Sequence, residues 1–384
     1  MSFTPPASDS SMPGSPSRAA EDGATLAAAL MAPRIAGLDF LRALAVALVM
    51  LGHSVESIEG LGDLLGVVSG LGVKVFFVLS GLLITRLLLD EIDAHGRIDF
   101  KAFYRRRIAR LMPAFYLYLA VALGVLWLRG KPIPWAAVTA SVLYVTNYYQ
   151  AFTGAQTNIV AHCWSLAVEE QFYMLWPLLA VFLVTRRMNM ARALVFIIVA
   201  VWGWRLFLTL QGGASVDYIY RALDTRADEL AVGCLIAVLV RSGPWRNRLA
   251  RVVQWPWAGP VLALLIYAST VADGQSQVFK YCVGYMVEPP LIGLLIMVTV
   301  VAATRTTGWL TTLLNHRVLV HMGQVSYGMY LFHGMIMFSV QHAVQGLTGS
   351  FWLGFASAFA AVFVFAAAVF RWYETPMRRL INGH

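Results

Sequence analysis

Residues 351–370 read FWLGFASAFAAVFVFAAAVF and contain no charged side chain. As an α-helix, a run of this length rises about 30 Å, which matches the hydrocarbon thickness of a lipid bilayer. The stretch therefore predicts a transmembrane helix.

Nine further apolar stretches precede this one along the chain. Their lengths suit helices that cross a bilayer, with allowance for tilt. The sequence therefore predicts an all-α fold, a polytopic membrane bundle of about ten transmembrane helices. The ten stretches lie at about residues 36–54, 67–89, 111–128, 164–184, 193–210, 226–241, 257–272, 283–303, 318–342 and 351–371.

The composition of the chain also indicates that lipid is its main solvent. Of the 384 residues, 59% are hydrophobic and 13% are charged, whereas soluble domains carry about 25% charged residues. This balance excludes a soluble globular enzyme and an intrinsically disordered protein. The net charge of +9 does not indicate nucleic-acid binding, because nearly all basic residues flank apolar stretches, where they orient membrane helices.

The distribution of Lys and Arg predicts which loops face the cytoplasm, since basic loops stay on that side. With ten spans and a cytoplasmic N-terminus, 21 basic residues lie in cytoplasmic segments and 4 in external ones. An additional span over residues 135–149 would change these numbers to 11 and 14. We therefore expect both termini in the cytoplasm and residues 135–149 outside, as an interfacial or re-entrant segment.

The N-terminal region differs from the rest in composition. Residues 1–33 are rich in Ser, Pro, Ala and Gly and show no apolar period, which is typical of a disordered tail. They also lack the basic start and apolar run of a signal peptide. We expect a disordered tail at 1–33 and a single transmembrane domain at 34–384. The three cysteines show no disulfide or zinc-site spacing, and no metal site is expected.

Ionisable side chains inside membrane spans are costly and therefore mark candidate functional sites. The first span carries Asp39, Arg42 and His53. The eleven-residue step from Arg42 to His53 is about 16 Å of helical rise and brings both to one face, with Asp39 close to it. Either a functional histidine or a structural one bonded to a neighbouring helix fits this pattern. Lys74 and Arg205, alone in their spans, are compatible with snorkelling toward the membrane surface.

Basic residues cluster just before the third span, where residues 104–110 read YRRRIAR. Arg107 and Arg110 are three residues apart and face the same way on a helix, and Arg106 lies beside them. Guanidinium groups at the start of a helix suit phosphate ligands. A cytosolic phosphate-bearing ligand and a simple topology signal remain the two alternatives for this cluster.

The fourth span opens with CWSLAVEEQFY at residues 163–173. Ser165, Glu169 and Tyr173 recur every four residues and so form one stripe of the helix. In the ten-span arrangement they share the outer half of the membrane with His53 and His333, although a structural hydrogen-bond network would use the same residues. The chain contains no Walker loop, zinc-protease motif or serine-hydrolase elbow.

Together, five segments resemble the membrane acyltransferase-3 family, the O-acyltransferases of bacterial surface polysaccharides and small molecules. Each motif alone is weak, but their order over residues 35–380 is distinctive. The segments are GLDFLRA at 37–43 with GHS at 52–54, GVKVFFVLSG at 72–81, YRRR at 104–107 with Arg110 and Pro113, WSL at 164–166 with EEQFY at 169–173, and SY at 326–327 with YL at 330–331 and His333.

The resemblance implies transfer of an acyl group, usually acetyl, from cytosolic acyl-CoA to a hydroxyl group of a sugar, a polysaccharide or a related acceptor. The expected location is the bacterial inner membrane, with lipid, the coenzyme A thioester and the acceptor as partners. The resemblance also implies roles for particular residues. The expected catalytic residues are His53, Glu169, Arg42 and Asp39, the expected coenzyme A ligands are Arg107, Arg110 and Arg106, and the expected substrate-binding residues are Trp164, Ser165, Tyr173 and His333.

Two questions stay open at this point. His53 would either accept the proton of the acceptor hydroxyl as a general base or carry the acyl group itself. A proton-coupled transporter is the competing class of protein, because buried His, Arg and Glu side chains also serve carriers. Dependence on acyl-CoA distinguishes the two classes.

Overall fold

The computed structural model of the protein describes residues 18–55, 65–155, 159–305 and 307–383. These residues form helices and connecting loops, and no strand occurs among them. The helices are α1 (Arg18–Met31), α2 (Leu38–Val55), α3 (Val68–His95), α4 (Phe100–Leu128), α5 (Trp135–Val142), α6 (Thr146–Thr153), α7 (Cys163–Thr185), α8 (Met190–Gln211), α9 (Val216–Arg221), α10 (Leu223–Arg241), α11 (Gly243–Val253), α12 (Ala258–Gln275), α13 (Gln277–Ala303), α14 (Trp309–Leu314), α15 (Arg317–Gln324), α16 (Ser326–Thr348) and α17 (Phe351–Asn382).

The long helices confirm the prediction of an all-α membrane bundle. Within the described residues, seven helices are long and apolar enough to cross a membrane, and an eighth span results if α11 and α12, which meet at 84°, count as one. Helices α10 and α16, of 19 and 23 residues, are not among these seven. The count of about ten spans and the cytoplasmic termini therefore stay predictions.

The segment 135–149 does not form one continuous span. It is divided between α5 and α6, each of eight residues, and a helix of that length rises only about 12 Å. The break falls at Tyr144, whose φ of 54° interrupts the helix. This non-spanning form agrees with an interfacial or re-entrant segment.

The prediction of a disordered tail at 1–33 is wrong for residues 18–31, which form α1; residues 1–17 lie outside the described part of the chain. Leu26 and Leu30, four residues apart on one face, are buried. Helix α1 packs against α11 and α13. The physical reason is that the Ala- and Leu-rich half of this segment has an apolar helical stripe, which its Pro- and Ser-rich beginning obscures in a compositional average.

Helix α3 lies against α2 and α10 in the interior of the bundle. Two glycines permit its close approach to α10, since a Cβ at Gly81 would overlap the backbone of Leu230 and one at Gly233 would overlap that of Val78. Small residues at helix crossings bring backbones together in membranes, where packing rather than the hydrophobic effect holds helices. This contact fixes the rotation of α3 and so the direction of its polar side chains.

The lone charges Lys74 and Arg205 do not snorkel. Lys74 is 3% exposed and forms ion pairs with Asp273, at 3.1 Å, and with Glu288. Arg205 is fully buried and makes two hydrogen bonds of 2.9 Å with the carboxylate of Asp228. Opposite charges on neighbouring helices offer these groups a partner inside the bundle, so they need not reach the membrane surface.

Candidate active site

A cavity of about 770 Å³ lies among α2, α3, α4, α7 and α16. Its wide end is lined by the end of α3, the following loop and the start of α4, including the exposed residues Arg97 and Asp99. Its narrow end is lined by Ser165 of α7 and Tyr330 of α16, which are buried. The cavity therefore leads from the protein surface into the bundle.

Five arginines line the cavity: Arg42 of α2, Arg97 of the loop after α3, and Arg106, Arg107 and Arg110 of α4. Helix α4 begins after Asp99, whose side chain accepts a hydrogen bond from the backbone N–H of Ala102 at 2.9 Å, as helix-capping residues do. The cap places the basic cluster on the second and third turns of α4. Spacings of three and four residues then turn Arg106, Arg107 and Arg110 toward the cavity.

These arginines differ in how their charges are neutralised. Arg106 meets Glu91 at 3.3 Å, and Arg107 meets Glu170 at 3.1 Å while lying 3.1 Å from the ring centre of Tyr173. For Arg110, no hydrogen bond or ion pair occurs among the residues that the structure describes.

The charges acting on Arg110 include the positive charges of Arg42, Arg107 and Arg378. Carboxylates line the cavity as well, at Asp90, Glu91, Asp99, Glu169 and Glu170. It is therefore the guanidinium group of Arg110, unpaired among the described residues, and not a net charge, that suits an anion.

The stripe predicted on the fourth span faces the cavity. Ser165, Glu169 and Tyr173 all line it. The hydroxyl of Tyr173 donates a hydrogen bond of 2.5 Å to Glu169, and the hydroxyl of Ser80 on α3 donates to the same carboxylate. Glu169 is thus held in place by two donors and lies one helical turn from the narrow end.

Tyr144 also lines the cavity and was not predicted from the sequence. Burial and the nearby carboxylate of Glu170 raise the pKa of Tyr144, so its phenol stays protonated at neutral pH. Its backbone carbonyl accepts a 2.7 Å hydrogen bond from Gln171 of α7. Tyr144, at the helix break, therefore lines one side of the cavity with an uncharged side chain.

Two hydroxyl groups meet at the narrow end. The oxygen atoms of Ser165 and Tyr330 are 2.5 Å apart. The backbone carbonyl oxygen of His162 lies 3.2 Å from the Ser165 hydroxyl and 3.1 Å from the Tyr330 hydroxyl. Because each hydroxyl group has one proton, one of them donates to the other, which in turn donates to this carbonyl. This bonded pair forms the inner wall of the cavity.

Three histidine rings lie beside the narrow end. The ring centroids of His53 and His333 are 5.4 Å apart, and those of His162 and His333 are 5.3 Å apart. The structure thus brings together the two predicted histidines, from α2 and α16, and adds His162. His162 belongs to no periodic pattern in the sequence. Only its position just before the WSL motif of α7 could have marked it as a site residue.

Asp39 and Arg42 lie away from these histidines. Asp39 pairs with Arg34 at 3.1 Å and with Arg42 at 3.6 Å, and Arg42 lines the cavity together with the arginines of α4. Along a straight α2, about 16 Å of helical rise separates Arg42 from His53. The structure therefore places Asp39 and Arg42 at the arginine end.

Trp164 points away from the cavity, whose lining does not include it. Its ring contacts those of Phe77 and Tyr220, with centroids 6.3 Å and 4.9 Å away. The guanidinium carbon of Arg226 lies 5.4 Å from the ring of Trp164, and Arg226 itself pairs with Glu229 at 3.1 Å. Trp164 therefore packs against the buried ion pairs of α10.

Within the described ranges, no group of three or more His, Cys, Asp and Glu residues is arranged to hold a metal ion. The three cysteines are free, with Cys163 and Cys234 buried.

Comparisons with known proteins identify the family of the chain. Residues 35–371 match the acyltransferase domain family, so the chain belongs to that family. The resemblance predicted from the sequence motifs is thereby confirmed. No solved structure matches the chain.

Relatives of the chain are named as O-acetyltransferases. The peptidoglycan O-acetyltransferase OatA of Listeria monocytogenes is 30% identical over 379 residues, which cover 91% of this chain and 56% of that protein. A provisionally named O-acetyltransferase of Staphylococcus aureus (strain COL) is 29% identical over 362 residues, covering 90% and 57%.

YrhL of Bacillus subtilis, provisionally named a peptidoglycan O-acetyltransferase, is 29% identical over 327 residues, covering 78% and 48%. The chain spans about half the length of these relatives.

Proposed function

We propose that the protein is a membrane O-acyltransferase that moves an acyl group, with acetyl as the expected one, from acyl-CoA to a hydroxyl group of a carbohydrate acceptor. One observation carries the proposal. A single cavity joins an arginine cluster that includes Arg110, unpaired within the described residues, to a narrow end beside three histidines. Transfer from a phosphate-bearing thioester requires an anion site and a reacting group connected in this way.

The arginines of the wide end hold the phosphate groups of coenzyme A in this proposal. Guanidinium groups bind phosphates through charge-assisted hydrogen bonds. Arg110 has its donors free of protein partners among the described residues, and Arg106 and Arg107 can share theirs with a ligand. Arg42 lines the same end of the cavity, so it contributes to the anion site in addition to pairing with Asp39.

The thioester arm then extends along the cavity toward Ser165 and Tyr330. Side chains of α3 supply an apolar wall for it, since Phe76, Leu83 and Ile84 line the cavity. The arm brings the acyl carbonyl group to the narrow end, where His53 acts on it. Glu169, held by two hydroxyl donors, balances the charge along this path, and Asp39 serves the arginine end instead.

The acceptor is a carbohydrate hydroxyl group in this proposal, because relatives are named peptidoglycan O-acetyltransferases. The arginine end faces the cytoplasm, where acyl-CoA is available, as the positive-inside distribution predicts. The histidines then lie nearer the outer face of the bacterial inner membrane. This sidedness lets the protein use a cytosolic donor for an acceptor on the other side.

A proton-coupled transporter is the competing assignment. Buried charges favoured it, and the structure pairs Lys74, Arg205 and Arg226 with carboxylates. Ion pairing between helices accounts for these charges without a transported proton.

The test measures release of coenzyme A from acetyl-CoA by the full chain in proteoliposomes, with soluble peptidoglycan fragments as the acceptor probe. We expect acceptor-dependent release by the wild-type protein and its loss in His53→Ala. Coenzyme A binding is measured in the same samples and should be unchanged in the variant, because His53 lies away from the arginines.

His342→Ala provides the matched control, since His342 is an exposed histidine of α16. It should retain wild-type release. Substantial transfer by His53→Ala would exclude a central role for His53. A wild-type protein that neither binds coenzyme A nor releases it would overturn the proposed function and favour a carrier.

A further inference from the structure

His333 occupies the middle of the histidine cluster. The ring of His53 stacks on it with an interplanar angle of 25°, and the ring of His162 meets it edge-on at 67°. His333 is 3% exposed. A substrate group placed among the three rings therefore contacts His333.

The hydrogen bond of His333 determines which of its nitrogens carries the proton. Its Nδ1 lies 2.6 Å from the backbone carbonyl oxygen of Tyr330, and a carbonyl oxygen can only accept a hydrogen bond. Nδ1 is therefore the donor, and in the neutral ring Nε2 carries the lone pair. Nε2 has no hydrogen-bond partner within the described residues. The backbone thus holds His333 as a base.

A second nitrogen of the cluster indicates that a ligand belongs there. Nε2 of His162 is buried and has no hydrogen-bond partner among the described residues. A polar atom left in this state is costly. Thirteen other side-chain atoms of the described residues share this state, but that of His162 belongs to the ring cluster next to the cavity. A hydroxyl or carbonyl group of a substrate would satisfy it.

Tyr330 joins the cluster to the cavity. Its side chain lines the narrow end, and its ring centroid is 5.6 Å from that of His162 and 5.7 Å from that of His333. Tyr330, which lines the narrow end of the cavity, therefore packs against the rings of His162 and His333. An acyl group at the narrow end lies next to the cluster.

We propose that Nε2 of His333 accepts the proton of the acceptor hydroxyl group during acyl transfer. The hydroxyl O–H bond breaks while its oxygen bonds to the carbonyl carbon of the thioester. The carbon–sulfur bond then breaks, and the proton on His333 passes to the departing thiolate of coenzyme A. The products are the acyl ester and the free thiol, and His333 is again neutral. This assignment rests on the proposed function and deepens it.

The cluster is suited to one proton at a time. Two positive imidazolium rings with centroids 5.3 to 5.4 Å apart would repel each other strongly inside the bundle. A second proton on the cluster is therefore disfavoured while His333 is protonated. This leaves His53 beside the acyl group and His162 as a hydrogen-bond partner for the substrate.

The experiment uses His333→Asn in the full chain, in proteoliposomes with acetyl-CoA and soluble peptidoglycan fragments. The amide N–H of Asn replaces the Nδ1–H bond to Tyr330, but Asn has no basic nitrogen. We expect kcat to fall by about 10²-fold or more, the usual contribution of a general base. Coenzyme A binding should stay within about twofold of the wild type, since the arginine end is unchanged.

His342→Asn is the matched control. His342 lies on the same helix, and its Nδ1 is 2.8 Å from the carbonyl oxygen of Phe338, but it is exposed and outside the cavity. It should retain the wild-type kcat, and a comparable loss of kcat in His342→Asn would overturn the assignment.

A kcat of His333→Asn within about threefold of the wild type would overturn the assignment and leave the proposed function intact. Loss of coenzyme A binding in His333→Asn would also overturn it, because the effect would then be structural. A wild-type protein that releases no coenzyme A with peptidoglycan fragments or with water as the acceptor would overturn the proposed function and this assignment together.

Discussion

Arg110 provides hydrogen-bond donors at the wide end of the cavity that are unpaired within the described ranges. The carboxylates of Glu91 and Glu170 neutralise Arg106 and Arg107, whereas Arg110 meets no carboxylate in the described part of the chain. Its donors face a cavity that is open to the protein surface. An incoming anion therefore finds unsatisfied donors without first having to displace an internal ion pair.

Replacing Arg107 and Arg110 together by Ala should weaken coenzyme A binding by at least about tenfold. A hydrogen bond to a charged group contributes about 1.5–3 kcal/mol, and the double change removes two guanidinium groups from the phosphate site. Isothermal titration of the purified protein with coenzyme A measures the effect.

Arg105→Ala is the control for this pair, because Arg105 lies on the same helix and is not part of the cavity lining. Its dissociation constant for coenzyme A should match that of the wild type. An unchanged coenzyme A affinity in the double variant would refute the assignment of Arg107 and Arg110 to the phosphate site. An equal loss of affinity in Arg105→Ala would show that positive charge in general, and not this site, determines binding.

Glu169→Gln separates the charge of this side chain from its hydrogen bonds. Gln retains an oxygen that can accept from Ser80 and Tyr173 but carries no negative charge. We expect kcat for acyl transfer to fall about tenfold or more, with coenzyme A affinity within about twofold of the wild type. Steady-state release of coenzyme A measures kcat, and a wild-type value would show that Glu169 only orders α7 against α3.

Among the helices, α1 shows how a short amphipathic element adds to a membrane bundle. It buries Leu26 and Leu30 against α11 and α13, and it thereby joins the N-terminal segment to the domain. The Asp22 backbone carbonyl also accepts a 3.2 Å hydrogen bond from Gln254. The membrane domain predicted to begin at residue 34 therefore includes packing contacts from residues before it.

Leu26→Ala should lower the melting temperature of the detergent-purified protein by several degrees. Replacing a fully buried Leu by Ala costs about 2–5 kcal/mol, because the transfer free energy is lost and a cavity remains. Met31→Ala, at the end of the same helix and 39% exposed, should change the melting temperature little. Equal melting temperatures for Leu26→Ala and the wild type would show that α1 does not stabilise the domain.

The sidedness predicted for the whole molecule rests on its basic loops, and cysteine labelling tests it. Arg97 lies in the loop at the wide end of the cavity, and Arg129 follows α4 at its other end; both are exposed. The native background is low, because Cys163 and Cys234 are buried and Cys282 is partly buried.

A membrane-impermeant maleimide should label Arg129→Cys in intact spheroplasts and Arg97→Cys only after the inner membrane is opened. The reason is that the loop containing Arg97 carries one of the densest groups of basic residues, which is retained in the cytoplasm. The opposite labelling pattern would invert the topology and separate the arginine end of the cavity from cytosolic acyl-CoA.

Hydropathy, charge asymmetry and motif order were sufficient to predict the class of protein and most of its helices. These signals are local: a run of apolar residues needs about 20 positions to cross a bilayer, and a stripe of polar residues repeats within one helix. The helical stretch hidden in the N-terminal tail was missed because its apolar stripe is short and adjoins a Pro- and Ser-rich segment.

Only the tertiary structure decided which polar groups meet. The His53–His162–His333 cluster combines α2, α16 and the residue just before α7, which are distant in sequence. Asp39 and Arg42, on the same helix as His53, lie at the other end of the cavity. Trp164 faces the ion pairs of α10, although Ser165, the next residue, lines the cavity. The rotation and crossing of helices depend on non-local contacts such as that of Gly81 with Leu230, and no periodicity within one segment encodes them.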